Sequence, residues 1–496
     1  GALTVTDVAT GNNNAIALTT SSGDITGLAT VNAGSGDVTL NSAGAIADDG
    51  STGTVVTGGV LTADAAGAIT IDSTVASADI STSAAGAVDL DETDGITLTD
   101  LDTTDGSITV DAGGSIVATA VDSADAGSDE THAVILTAST GDVTIGAITS
   151  DSTLTIVATA GSINDAGDDT TTDLTSTTNA IVLTAQDEIG GNAAVMSTDT
   201  AGAIEVAANS ALDVSSTAVG GIVVSGAGAL TLSDLDTTDG AITVDAGGLI
   251  TATDVVAGGS TGDSVTLSTT TGGAVATLVT GADAVSITAD AGDVTVGALT
   301  ATAGTLGVTA TTGSINDAAD DNTGDFTAGG LITLTAQDEI GVLGSGSDTD
   351  LEFAAGSSVN VSTTGTGAID LDGLGALTLS DVDTVNGAIT VTSAGALTVT
   401  DVATGNNNAI ALTTSSGDIT GLATVNAGSG NVTLNSAGAI ADDASAATVV
   451  TGGVLTADAA GAIEIDSTVA SADISTSAAG AVDLDETDGI TLTDLD

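Results

Sequence analysis

Carboxylates are the residues of this chain that could do chemistry, and they recur in one pattern. Asp89, Asp91 and Asp94, then Asp100, Asp102 and Asp105, then Asp234, Asp236 and Asp239 form triplets, each ending one residue before a glycine. In the D-L-D part of each triplet the leucine and its two flanking acids point to opposite faces of an extended chain, so both carboxylates share one face and the third lies in the adjoining turn. Hard oxygen ligands at that spacing suit Ca²⁺. The triplets differ from two familiar calcium patterns. D-x-D-x-x-D-G is out of phase with an EF-hand loop and lacks its bidentate Glu, and the nonapeptide G-G-x-G-x-D of calcium β-rolls does not occur. Solvated turns are the alternative reading of the same acids.

Other chemistries find little to work with. The chain has 67 acidic residues, one histidine and no lysine or arginine. Phosphate binding rests on Lys and Arg, which excludes nucleic acid as a partner. A site that cleaves acidic polysaccharide would need a cation to hold its substrate and stabilise developing charge. His132, which follows G-S-D-E-T, reads instead as an exposed loop residue at the start of a strand, so no enzyme is expected. Glycine-rich cofactor motifs occur here by composition alone. Outward threonine pairs such as Thr4 with Thr6 and Thr97 with Thr99 raise ice binding, but Ser, Asp and Glu break the ranks in other repeats, and Thr is a strand former in its own right.

The elements that must position these acids are short strands. Gly95-Ile96-Thr97-Leu98 and Gly106-Ser107-Ile108-Thr109-Val110 alternate apolar and polar residues, the period of a strand with one buried face. This puts Ile96, Leu98, Ile108, Val110 and Ile116 inward and Thr97, Thr109 and Asp111 outward. Leu101 follows Leu98 by an odd step, which requires a corner between them. Glycines recur at 19 or 20 residues: Gly67, Gly86 and Gly106; Gly95 and Gly114; Gly221 and Gly240; Gly228 and Gly248. A unit that short cannot bury a face alone and must stack on its neighbours. The fold expected is all-β, an uncapped parallel β-helix (β-solenoid) of about 19–20 residues per coil. At a rise of about 4.8 Å per coil, the chain would make about 25 coils over roughly 120 Å.

Composition agrees. There is no proline, cysteine, tryptophan or tyrosine, and aromatics are limited to Phe326 and Phe353, so the core is built from Val, Ile, Leu and Ala. A strand paired on both sides has no place for proline. High negative charge with few aromatics also fits disorder, but a 42% hydrophobic content in strict alternation does not. No run of 18 apolar residues marks a membrane span and no basic amino-terminal segment marks a signal peptide.

Residues 395–496 repeat 1–102 with five differences: Asp37 to Asn431, Gly50 to Ala444, Thr52 to Ala446, Gly53 to Ala447 and Thr70 to Glu464. This defines a module of 394 residues within one continuous solenoid, expected to be a stretch of a longer array. G-D-V-T-I-G-A-I-T-S from Gly141 returns as G-D-V-T-V-G-A-L-T-A from Gly292, and T-A-Q-D-E-I-G occurs at 184 and at 335. Two insertions, before Ala133 and before Ala180, read as loops bulging from a corner.

The G-[AD]-[IVL]-x-[IVL] units near 20 residues resemble filamentous-haemagglutinin-type exoproteins and giant bacterial surface adhesins. That resemblance implies a right-handed β-helix exported to the cell surface, with a role in adhesion or extracellular matrix. The function expected is an extracellular structural filament or stalk providing reach, stiffness and protease resistance, or an adhesin shaft whose binding domain lies elsewhere. Its partners would be copies of itself and divalent cations.

Overall fold

The computed structural model describes residues 1–123, 131–167, 170–178, 180–191, 202–260, 262–319, 323–341, 350–445 and 447–496. It is an all-β parallel β-solenoid of about 22 turns. Among the described residues the strands pair in parallel, each with the equivalent strand one coil away. Among the described residues the helical structure is a single 3-10 turn, Gly405–Asn407. Contacts group the chain into two compact units, Gly1–Ala246 with Ala257–Gly259 and Gly247–Val256 with Ser260–Asp496.

In the first unit, each regular coil has one straight strand and one bent strand, as in Val88–Glu92 and Ile96–Asp105. The straight strand alternates Val88, Leu90 and Glu92 inward with Asp89 and Asp91 outward. The bent strand carries the expected corner, seen as a register shift between Leu98 and Asp100, after which Leu101 is again buried. Ile96, Leu98, Ile108, Val110 and Ile116 are buried, while Asp111 is exposed and Thr97 and Thr109 are half-buried.

The glycine spacing comes from close approach between coils. A Cβ on Gly106 would overlap the Gly86 carbonyl, and one on Gly86 would overlap Gly67, so at this corner backbone packs on backbone with no room for a side chain. The second unit repeats the device at Gly367 and Gly387. Just before these glycines an inward threonine turns its hydroxyl onto the turn. Thr82 donates to Gly86 O (3.2 Å), Thr384 to Gly387 O (2.7 Å) and Thr414 to Gly417 O (3.0 Å). A buried hydroxyl is thereby paired where the strand ends.

The coil length varies more than the 19–20 residues expected, which is why there are about 22 turns and not 25. Val88 pairs with Ile108, but Ile108 pairs with Val134, and Ile181 pairs with Leu212. The insertion before Ala180 is also more than a loop. It contains the strand Leu174–Ser176, which pairs with Ile148–Ser150 of the preceding coil. Residues 124–130 of the other insertion lie outside the described residues.

Straight and bent strands exchange places at defined points. In the first unit the straight strand Ala180–Ala185 pairs with Ser210–Val219, which pairs with the bent strand Leu230–Asp239 through a shift between Leu212 and Asp213. On the other side Ile189 and Ile204–Val206 converge on the straight strand Ile222–Gly226. The second unit does the same: Ser357–Thr363 pairs with bent Leu377–Thr384, and Ile340 and Leu351–Phe353 converge on straight Ile369–Gly373. Both exchanges follow a T-A-Q-D-E-I-G segment.

Candidate functional site

The D-L-D triplets lie where alternation places them. Leu90, Leu101 and Leu235 are buried, and Asp89, Asp91, Asp100, Asp102, Asp234 and Asp236 are exposed on the walls. Asp94 is exposed in the turn, and Asp105 and Asp239 are half-buried at strand ends. Parallel stacking aligns like charges: Asp72 pairs with Asp91 and Asp91 with Asp111, while Asp79 pairs with Asp100 and Asp102 with Asp122. Partial burial raises Asp89 above the ordinary carboxylate range, with Asp91 and Asp111 adding to it. Asp102 is raised the same way, by burial and then by Asp100, Asp122 and Asp79.

Other acids join coils through hydrogen bonds. At four Gly-Asp steps the carboxylate accepts a backbone N–H from the following coil: Ala45 N–H donates to Asp24 Oδ1 (2.9 Å), Ser162 N–H to Asp142 Oδ1 (2.9 Å), Ser314 N–H to Asp293 Oδ1 (2.9 Å) and Ala439 N–H to Asp418 Oδ1 (2.7 Å). Glu92 is an inward acid that its surroundings satisfy. Ser73 Oγ donates to its Oε2 at 2.6 Å and Val75 N–H donates at 3.1 Å. Burial raises its pKa and these two bonds oppose the rise.

His132 is not the exposed residue expected from its loop. Its side chain is 12% exposed and lies between two carboxylates, Nε2 at 3.0 Å from Asp105 Oδ1 and Nδ1 at 3.5 Å from Asp151 Oδ2. The strand that follows draws His132 against the coils on either side, so one member of a triplet, Asp105, is engaged with imidazole.

Among the described residues, the group of three carboxyls whose oxygens come within 4.8 Å of one another is not a D-L-D triplet. It is Asp165, Asp173 and Glu205. Asp165 ends the strand Ile163–Asp165, Asp173 immediately precedes Leu174–Ser176, and Glu205 is the middle residue of Ile204–Val206 in the next coil. Asp173 N–H donates to Glu205 O (2.9 Å) and Glu205 N–H donates to Asp173 Oδ2 (2.9 Å). Ser225 Oγ donates to Glu205 Oε1 (3.3 Å), while Glu205 Oε2 and Asp165 Oδ2 are buried without a hydrogen-bond partner. Burial first, then Asp173 and Asp165, push Glu205 up to about 8.

The second unit places three corresponding acids at the same points of its strands. Asp317 ends Ile315–Asp317, Asp325 precedes Phe326–Ala328, and Glu352 is the middle residue of Leu351–Phe353. Asp325 N–H donates to Glu352 O and Glu352 N–H to Asp325 Oδ2, both at 3.0 Å. Glu352 is 1% exposed, and neither of its carboxyl oxygens has a hydrogen-bond partner. Burial, then Asp325, Asp350 and Asp317, push it up to about 9. The core beneath is the chain's one aromatic pair, Phe326 and Phe353, stacked with centroids 5.1 Å apart.

Sequence reasoning did not single out these residues. The available signal was the repeat N-D-A-G-D-D at 164 and N-D-A-A-D-D at 316, each with a further aspartate eight residues after the first, at Asp173 and Asp325. Compared with known proteins, the chain matches no family model, no curated protein and no solved structure. The class defined by fold and geometry is therefore a tandem-repeat β-solenoid. Among the described residues no helix is long and apolar enough to cross a membrane.

Proposed function

We propose that this chain is a structural shaft: part of an extracellular filament or stalk on a bacterial surface, with a mechanical and not a catalytic role. The observation that carries the reading is the stacking of parallel strands among the described residues of each unit, in which a strand such as Ile108–Ala112 is paired with the coil before and the coil after. Such a ladder converts sequence length into reach with no need of a closed domain core. The surface it presents suits exposure outside the cell. It has no lysine or arginine for trypsin-like proteases and no cysteine dependent on redox state. Antibody raised against the chain should label intact, unpermeabilised source cells or the fibres they shed. Labelling that appears only after permeabilisation would overturn the proposal.

A further inference from the structure

Asp165, Asp173 and Glu205 are drawn together from two successive coils, and nothing in the shaft role requires three acids to meet. Stacking alone would have been better served by Ser or Thr, as at Ser225 one coil further on, which is in register with Glu205. Glu205 is 6% exposed, and its Oε2 faces the cluster without a hydrogen-bond partner. In the second unit Glu352 is more deeply buried with both oxygens unsatisfied, beside Asp325 and Asp317. Buried carboxylates at such spacing need either a proton or a cation between them.

We propose that Asp165, Asp173 and Glu205 bind one Ca²⁺, and that Asp317, Asp325 and Glu352 bind a second. The donors are all hard oxygens with no nitrogen or sulfur among them, which favours Ca²⁺ or Mg²⁺ over transition metals. The candidate oxygens of the first cluster lie within 4.8 Å of one another, close enough to share one ion, and the flexible coordination of Ca²⁺ asks less of their placement than the strict octahedron of Mg²⁺. The cation would tie the end of one coil, through Asp165 and Asp173, to Glu205 of the next. That junction is where straight and bent strands begin to exchange walls, and Leu174 meets Val206 there as a single register pair. The ion would thus reinforce a wall where the register pairing is thin.

The test is calorimetric titration of CaCl₂ into the full chain, stripped with chelator, at pH 7 in 150 mM NaCl. Two saturable sites should appear above the diffuse uptake expected of so acidic a chain. Glu205→Gln, which has nearly the shape of the protonated acid, should remove one site. Glu352→Gln should remove the other, and Asp100→Asn should remove neither. Circular dichroism checks that each variant stays folded, and should one fail, the variant in the other unit carries the test. Diffuse uptake alone in the wild type, or equal saturable binding after both Glu→Gln changes, would overturn the proposal.

Discussion

Ile108 offers a direct test of whether the coils act as a linear stack. It is fully buried and sits in register between Val88 of the coil before and Val134 of the coil after. Its N–H donates to Ala133 O (2.9 Å), and Val88 N–H donates to Ser107 O (2.9 Å). Truncation to Ala leaves a cavity walled by two neighbours that are held by their own ladders and cannot collapse inward, so the cost should be about 2–5 kcal/mol. Ile108→Asp should cost more, because the chain has no Lys or Arg to pair with a buried carboxylate. In a stack with nearest-neighbour coupling that loss is confined to the altered coil and those touching it. Hydrogen exchange on the full chain should therefore quicken in Val88–Glu92, Ile108–Ala112 and Val134–Ala138. At about 1.4 kcal/mol per decade, Ile108→Ala should accelerate those amides by roughly 30-fold to several thousandfold. Amides of the remote strand Ile16–Thr19 should exchange at the wild-type rate. Equal acceleration across the chain would show one cooperative body and refute the nearest-neighbour picture.

Three further outcomes are expected. Ala444 is held at φ 59° in the turn where the earlier copy has Gly50 at φ 71°, and both make the same N–H bond, to Asp442 Oδ1 and Asp48 Oδ1, at 2.9 Å. Ala444→Gly should gain about 1 kcal/mol of local stability and Gly50→Ala should lose about as much, read by exchange in the adjacent strands; no difference would mean that the turn relaxes freely. In chelator, the coils around Glu205 and Glu352 should be most stable below about pH 4.5 and loosen as pH rises towards about 8 and about 9, because the folded state holds a proton that a glutamate of the unfolded chain, titrating at its ordinary 4.5, has released. Exchange that slows over that range, after correction for the intrinsic rate, would contradict the assignment. Finally, with 67 acids and no Lys or Arg, self-association should be suppressed in neutral low-salt solution and rise on titration through the carboxylate range near pH 4 or on adding Ca²⁺; light scattering that stays flat down to pH 3 would show that charge is not what separates the chains.

What could be read from the sequence was whatever a period of two decides. Alternation assigned Ile96, Leu98, Ile108, Val110 and Ile116 to the core, and the odd step from Leu98 to Leu101 located the corner, because both are properties of a single strand. Glycine spacing gave the coil because backbone contact at Gly86 and Gly106 leaves no tolerance for a side chain. The features that were missed depend on which coil lies next to which. Leu174–Ser176 looks like part of a polar insertion until Ile148–Ser150 supplies its ladder. Glu92 continues the inward alternation of Val88 and Leu90, and only Ser73 and Val75 of the preceding coil make that position tolerable for an acid. The triad escaped for the same reason: Asp173 and Glu205 are 32 residues apart and meet only through stacking.

A chain without lysine or arginine must still satisfy its carboxylates, and this one does so in part with its own backbone. At four Gly-Asp steps the acid accepts an N–H group across the gap between coils, so Asp24, Asp142, Asp293 and Asp418 contribute cohesion between coils where Lys or Arg would ordinarily pair. Asp72, Asp91 and Asp111 are stacked in register, and like charges one strand apart repel. That repulsion weakens as salt or divalent cations accumulate around the chain. The core ladder is indifferent to ionic strength while the walls are not, so added salt should strengthen the cohesion of the coils instead of loosening it. This dependence is opposite to that of a protein held together by surface ion pairs. Thermal melting of the full chain at rising NaCl separates the two cases: the melting temperature should climb with salt, and a fall would mean that attractive charge pairs, centred on His132 with Asp105 and Asp151, dominate the electrostatics.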